Sequence, residues 1–209
     1  SKNKLLTTIA YKLDGDITYA LEGSIFVAGS SVQYLRDKLN FFNSAEESEK
    51  FALEADSSSQ VFVVPAFTGL GAPHWKPEAK GAIFGLTLNS GINEISLATL
   101  ESVAFQTKEL LNAMQADGAK VNSIKIDGGM SNNAFFSQLL ADTLKTEIYK
   151  PIDIETTALG ATYLAAIGSG FAKQDDLKDF WNMDKKFLPE NNLDQKFAAW
   201  QKYLKKLIQ

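Results

Sequence analysis

Asp127-Gly128-Gly129 stands between a short segment that reads as a strand, Ile124 to Ile126, and a segment with helical spacing. Glycine lets a ligand approach the backbone closely, and a helix N-terminus favours phosphate and other polar groups. In open α/β sheets, ligands gather at the carboxyl ends of strands. The same tripeptide also suits a tight strand-to-helix turn that binds nothing. No Gly-Lys-Ser/Thr follows it, so it is not a Walker loop, and it lacks the Gly-x-Gly-x-x-Gly spacing of a Rossmann fingerprint. A second candidate is Ala28-Gly29-Ser30-Ser31-Val32-Gln33. Here a glycine and two hydroxyls precede a helix, and the Gln33 amide can donate to or accept from a purine or ribose. An ordinary helix start capped by Ser30 or Ser31 reads the same way.

Two further stretches invite the same comparison. The loop from Ala66 to Trp75 is rich in Gly and Pro, the kind of loop on which a scaffold carries binding residues, or else a packed loop anchored by Trp75. Thr157 to Ala166 is a run of small and apolar residues, which suits close packing of a helix against a neighbour. His74 is the single histidine and reads as a surface or packing residue. The acidic pairs Glu46-Glu47 and Asp175-Asp176 read as solvated surface, and no pair of carboxylates is placed for acid–base work.

The elements that must position these residues follow from periodicity. Leu5 to Leu13 and Ile17 to Leu21 flank Asp14-Gly15-Asp16 and read as a β-hairpin. Val32, Leu35, Leu39 and Phe42 share one face of a helix over 30–42. A short polar helix follows over 44–55, and Val61 to Ala66 reads as a buried strand. Long amphipathic helices are expected over 93–116 and 132–144. A strand at 124–126 and another at 147–149, halted by Pro151, alternate with them. A helix over 156–167 and a closing helix over 193–208 complete the chain. Strands first, then alternating helix and strand, argue for an α/β layered domain with a mixed sheet.

Composition narrows the classes. The chain has 209 residues, 45% hydrophobic and 22% charged, within the range of a soluble globular domain. A net charge of −4, with charges scattered, lacks the basic footprint of a nucleic-acid binder. There is no cysteine, which excludes disulfides and thiolate metal sites and fits a reducing cytosol. No apolar run approaches the roughly 18 residues of a membrane span. The first ten residues lack a signal-peptide core and a start methionine, as expected of a trimmed or excised chain.

Together the motifs go further. Gly81-Ala82-Ile83-Phe84-Gly85-Leu86, then a spacer, then Glu94 to Glu101 resembles the second signature of the FGGY carbohydrate kinases. Within that family, Tyr19 to Gly23, Pro65 to Trp75, and Leu100-Glu101-Ser102 with Gln106-Thr107 are similar to the branch that phosphorylates glycerol. His74 is a departure, standing where that branch often carries Tyr. The likeness covers about residues 5–171.

The resemblance implies an actin-like ATPase (ribonuclease H-like) fold, with residues 1–209 as its C-terminal nucleotide-binding domain, a mixed sheet flanked by helices. It implies ATP or ADP contacts at Gly29, Gln33, Gly129 and Asn133, with Mg²⁺ held mainly through the nucleotide and the other half of the enzyme. The catalytic base and the glycerol-binding groups are expected upstream of Ser1, so this chain carries no catalytic residue and is expected to be inactive alone. A strand near Leu5 is then expected to show an unpaired edge. The full enzyme is expected to be a cytoplasmic homo-oligomer acting on nucleotide and glycerol, with no nucleic-acid or membrane partner. Alternatives are a kinase of a pentulose, hexulose or gluconate, or a non-catalytic interaction module of the same fold.

Overall fold

The longest element organises the rest. In the computed structural model, which describes residues 1–13, 15–179 and 181–209, helix α3 runs Ile92–Ala116. It opens at Gly91, whose N–H donates to the Glu94 carboxylate at 2.8 Å. That bond satisfies a donor that helix geometry leaves orphaned. Most of the helix is buried, including polar residues such as Thr99 and Ser102. Their hydroxyls donate to the helix's own carbonyls, Thr99 to Ile95 at 2.7 Å and Ser102 to Thr99 at 2.7 Å. These two buried hydroxyls are tolerated because each has a partner; the buried Ser96 hydroxyl of the same helix has none.

Two cores lie on opposite sides of α3. One joins α1 (Gly29–Asp37), α2 (Glu47–Leu53), α4 (Ala134–Leu144) and the strands β6 (Glu147–Pro151) and β7 (Met183–Phe187) through Leu35, Leu100, Leu140 and Ile148. The other joins β3 (Phe62–Val64) to α6 (Asp194–Ile208) through Phe62, Phe105, Phe197 and Trp200. Trp200 is fully buried and its indole N–H donates to the Val63 carbonyl at 2.8 Å. Glu101 of α3 is buried against Lys196 of α6 at 2.7 Å. Its other carboxylate oxygen has no partner, and burial pushes its carboxyl up from the usual range.

Three small sheets replace one large one. β5 (Ser123–Lys125), β6 and β7 form a mixed sheet, parallel between β5 and β6 and antiparallel between β6 and β7. β3 pairs with β4 (Ala82–Phe84), which the sequence reading missed. β1 (Leu6–Leu13) and β2 (Asp16–Glu22) pair only with each other, as expected of an unpaired edge, and most of their side chains are exposed. Asp14 of the expected turn lies outside the described residues.

Several boundaries are corrected. α1 ends at Asp37, five residues short of expectation, and Asn40 then takes a left-handed conformation, φ 53°. Ser30 and Ser31 do not cap it. Ala28 is the N-cap, and the Ser31 hydroxyl donates back to its carbonyl at 2.6 Å. β6 includes Pro151, which sits where the register with β7 shifts, the kind of irregularity that tolerates a residue without an N–H. α5 (Thr156–Gly168) was expected to pack closely, yet none of its residues is buried.

Candidate functional site

The strand β5 runs into Asp127-Gly128-Gly129, and Gly128 takes φ 75°, a conformation that favours glycine. A short 3-10 turn, Gly129–Asn132, follows before α4 begins. The turn is tied down on both sides. Gly128 N–H donates to the Ile154 carbonyl at 3.1 Å, and the Ser131 hydroxyl to the Gly128 carbonyl at 2.7 Å. The Asp127 carboxylate is turned to the Thr156 hydroxyl at the head of α5.

Across from this turn stands the head of α1. A side chain built at Gly29 would meet the Met130 side chain at 3.3 Å, so the two glycine-bearing segments face one another. Between them opens a cavity of about 690 Å³, within the usual range for small-molecule sites. Gly29 and Gln33 of α1 and Gly129 and Asn133 before α4 all line it. Its floor is apolar, built from Leu100 and Val103 of α3 and Leu140 and Leu144 of α4. A Cβ added at Gly129 meets nothing within 4 Å, so the turn presents open space to the cavity.

Asn133 is the N-cap of α4, and its side-chain oxygen accepts from the Phe136 N–H at 2.7 Å. Its amide nitrogen is buried and has no partner. A buried donor left unpaired costs about 1–3 kcal/mol, so an acceptor in the cavity would find a ready partner here.

Other sequence candidates fall elsewhere. The loop from Ala66 to Trp75 does not line the cavity. It is anchored to the N-terminal segment, where Trp75 donates its indole N–H to the Lys4 carbonyl at 2.7 Å. His74 packs on α3, 2.7 Å from Glu109. Glu46 is exposed, as expected, but also lines the cavity, and so does Glu49, which the sequence reading missed. The Glu49 carboxylate accepts from the Phe135 N–H at 2.9 Å. That contact joins α2 to α4, and no local pattern announces it.

The arrangement defines an α/β domain with a cavity between a glycine turn at a strand's end and a glycine-headed helix. Residues 4–169 match the profile of the C-terminal domain of the FGGY family of carbohydrate kinases. The chain belongs to that family.

The chain is 51% identical over 205 residues to a glycerol kinase of Alteromonas mediterranea, covering 96% of this chain and 42% of that protein. It is 46% identical over 211 residues to glycerol kinase 1 of Pseudomonas aeruginosa, covering 99% and 43%. It thus spans well under half the length of these relatives. Among solved structures, Plasmodium falciparum glycerol kinase with ADP superposes with a TM-score of 0.88 at 32% identity, over 99% of this chain and 42% of that one. A xylulose kinase from Rhodospirillum rubrum shares the fold, with a TM-score of 0.81 at 20% identity over 98% and 42%. The fold is that of the actin-like ATPases, as the sequence resemblance implied.

Proposed function

We propose that this chain is the nucleotide-binding part of a kinase that transfers the γ-phosphate of ATP to glycerol, giving glycerol 3-phosphate. The observation that carries the reading is the Asn133 amide nitrogen, buried and unpartnered at the edge of the cavity. Gly29, Gln33 and Gly129 surround the same space, which suits a ligand that presents several acceptors. The residues fit a nucleotide. Two glycines leave room beside the backbone, one polar amide stands at α1, and an apolar floor suits a base. The choice of glycerol is supported by the identity to glycerol kinases over nearly the whole chain.

In this reading residues 1–209 act as one domain whose task is to seat and orient the nucleotide. Mg²⁺ would offset phosphate charge and be carried mainly by the phosphates themselves. The base that takes the glycerol proton and the groups that hold glycerol belong to the larger enzyme, which works as a cytoplasmic homo-oligomer. Positioning and electrostatics supply most of the rate in such transfers. A direct test is Asn133→Ser, which keeps an N-cap oxygen for α4 and deletes the free donor. Calorimetry should show about tenfold weaker ADP binding with an unchanged melting temperature. Unchanged ADP affinity would remove Asn133 from the site.

A further inference from the structure

The head of a helix ordinarily attracts anions, because its free N–H groups and its dipole both favour negative charge. At α4 the protein has already used that attraction. The Glu49 carboxylate accepts from Phe135 N–H at 2.9 Å, and the Asn133 side-chain oxygen accepts from Phe136 N–H at 2.7 Å. Glu46, one turn before Glu49, lines the same wall. The charged groups elsewhere in the cavity are engaged. Lys125 holds its ammonium 3.7 Å above the Trp181 ring, and Asp127 is bonded to Thr156. The cavity wall formed by α2 and the head of α4 is therefore acidic, and the Phe135 and Phe136 amides there are occupied. The Gly129 end carries a bare glycine backbone facing open space.

We propose that Glu49 sets the direction in which a nucleotide lies: its carboxylate takes the sugar hydroxyls and turns the phosphates away from α4, toward Gly129. The proposal rests on the nucleotide reading above. A carboxylate only accepts hydrogen bonds. A ribose hydroxyl can donate one, and a bond to a charged acceptor is among the stronger kinds. A phosphate is mostly deprotonated and negatively charged at neutral pH, so it donates poorly and is repelled by the same oxygen atoms. One oxygen of Glu49 is committed to α4; among the described residues no hydrogen bond holds the other.

The test is calorimetric titration of the chain, without Mg²⁺, using adenosine, 2′,3′-dideoxyadenosine and ADP. The wild-type chain should bind adenosine about tenfold more tightly than the dideoxy nucleoside. Glu49→Gln keeps an oxygen for Phe135 and so keeps the helix cap. It should narrow that discrimination to about twofold and raise ADP affinity relative to adenosine about fivefold, as expected for removing one partly screened charge. Equal binding of adenosine and dideoxyadenosine by the wild type would overturn the proposal without any variant. Hydroxyl discrimination that survives in Glu49→Gln would also overturn it, while leaving the nucleotide site intact. Failure of all three ligands to bind would instead remove the nucleotide reading, and this proposal with it.

Discussion

Helices α5 and α6 invert the usual relation between composition and burial. α5, Thr156–Gly168, carries no charged residue, yet none of its side chains is buried, and Leu164 is 56% exposed. α6, Asp194–Ile208, carries Asp194 and four lysines, yet buries Phe197, Trp200 and Leu204. The difference lies in what faces them. α6 lies across β3 and α3, whereas no described element packs broadly on α5. Hydrophobicity supplies the drive for burial, but only a facing surface lets it act. Periodicity foretells this better than total apolar content. The apolar residues of α6 fall on one stripe, with Lys202, Lys205 and Lys206 exposed away from it, whereas α5 carries small and apolar residues all round with no charged face.

The contrast can be broken most forcefully at Trp200. Trp200→Ala should cost about 3–5 kcal/mol, the usual penalty for emptying a large aromatic site. The matched change on α5, Leu164→Ala, should stay within about 0.5 kcal/mol. Denaturant unfolding of both variants measures the difference, and equal losses would mean that α5 is covered in solution.

A second variant sharpens the closed side. Lys196→Met strands the Glu101 carboxylate, with an expected cost of about 3 kcal/mol near pH 8. Burial already raises the Glu101 carboxyl above its ordinary value. A raised folded-state value means that the stability this group provides is complete below its unfolded value. That stability is lost as pH rises through the folded one. The variant should therefore be closest to wild type at acidic pH and fall behind as pH rises. A pH-independent penalty would show that the Glu101 charge plays no part.

On the open side, Gly129→Val should weaken ADP binding by at least about tenfold, roughly 1.4 kcal/mol, with little change in melting temperature. A Cβ added at Gly129 meets no protein atom within 4 Å. Normal ADP affinity would return the glycine turn to a purely structural role.

The smallest effect is expected at the start of α6. Hydrogen bonds from Lys108, then Lys145, hold the Asp194 carboxyl down to about 2. A depressed folded-state value gives stability that is present above the unfolded value, near 4, and is lost as pH falls toward 2. Asp194→Asn should flatten a small part of the acid limb of a melting-temperature profile and change nothing near neutral pH beyond a slight loss. The pair is exposed at Lys145, so salt should shrink the effect further.

Much of this organisation was legible from residues alone. Seven-residue spacing along 92–116 and the lysine-backed stripe of 194–208 announce helices because a helix repeats its contacts every few residues. Asp127-Gly128-Gly129 announces a turn because only glycine accepts the φ of 75° found at Gly128 without strain. The FGGY signature was readable for the same reason, being local and spaced. The strand Ala82–Phe84 and the early end of α1 were not, since the flanking Gly81 and Gly85 read as turn and one left-handed asparagine leaves no periodic trace. The sequence by itself thus determined the helices, the glycine turn and the kinase family. Only the tertiary structure decided that Gly29 and Gln33 share a cavity with Gly129 and Asn133, that Glu49 reaches across to cap α4, and that α5 stands uncovered. Those outcomes depend on how α1, α2 and α4 pack around α3, and contacts between residues distant in the chain leave no mark on the spacing of their neighbours.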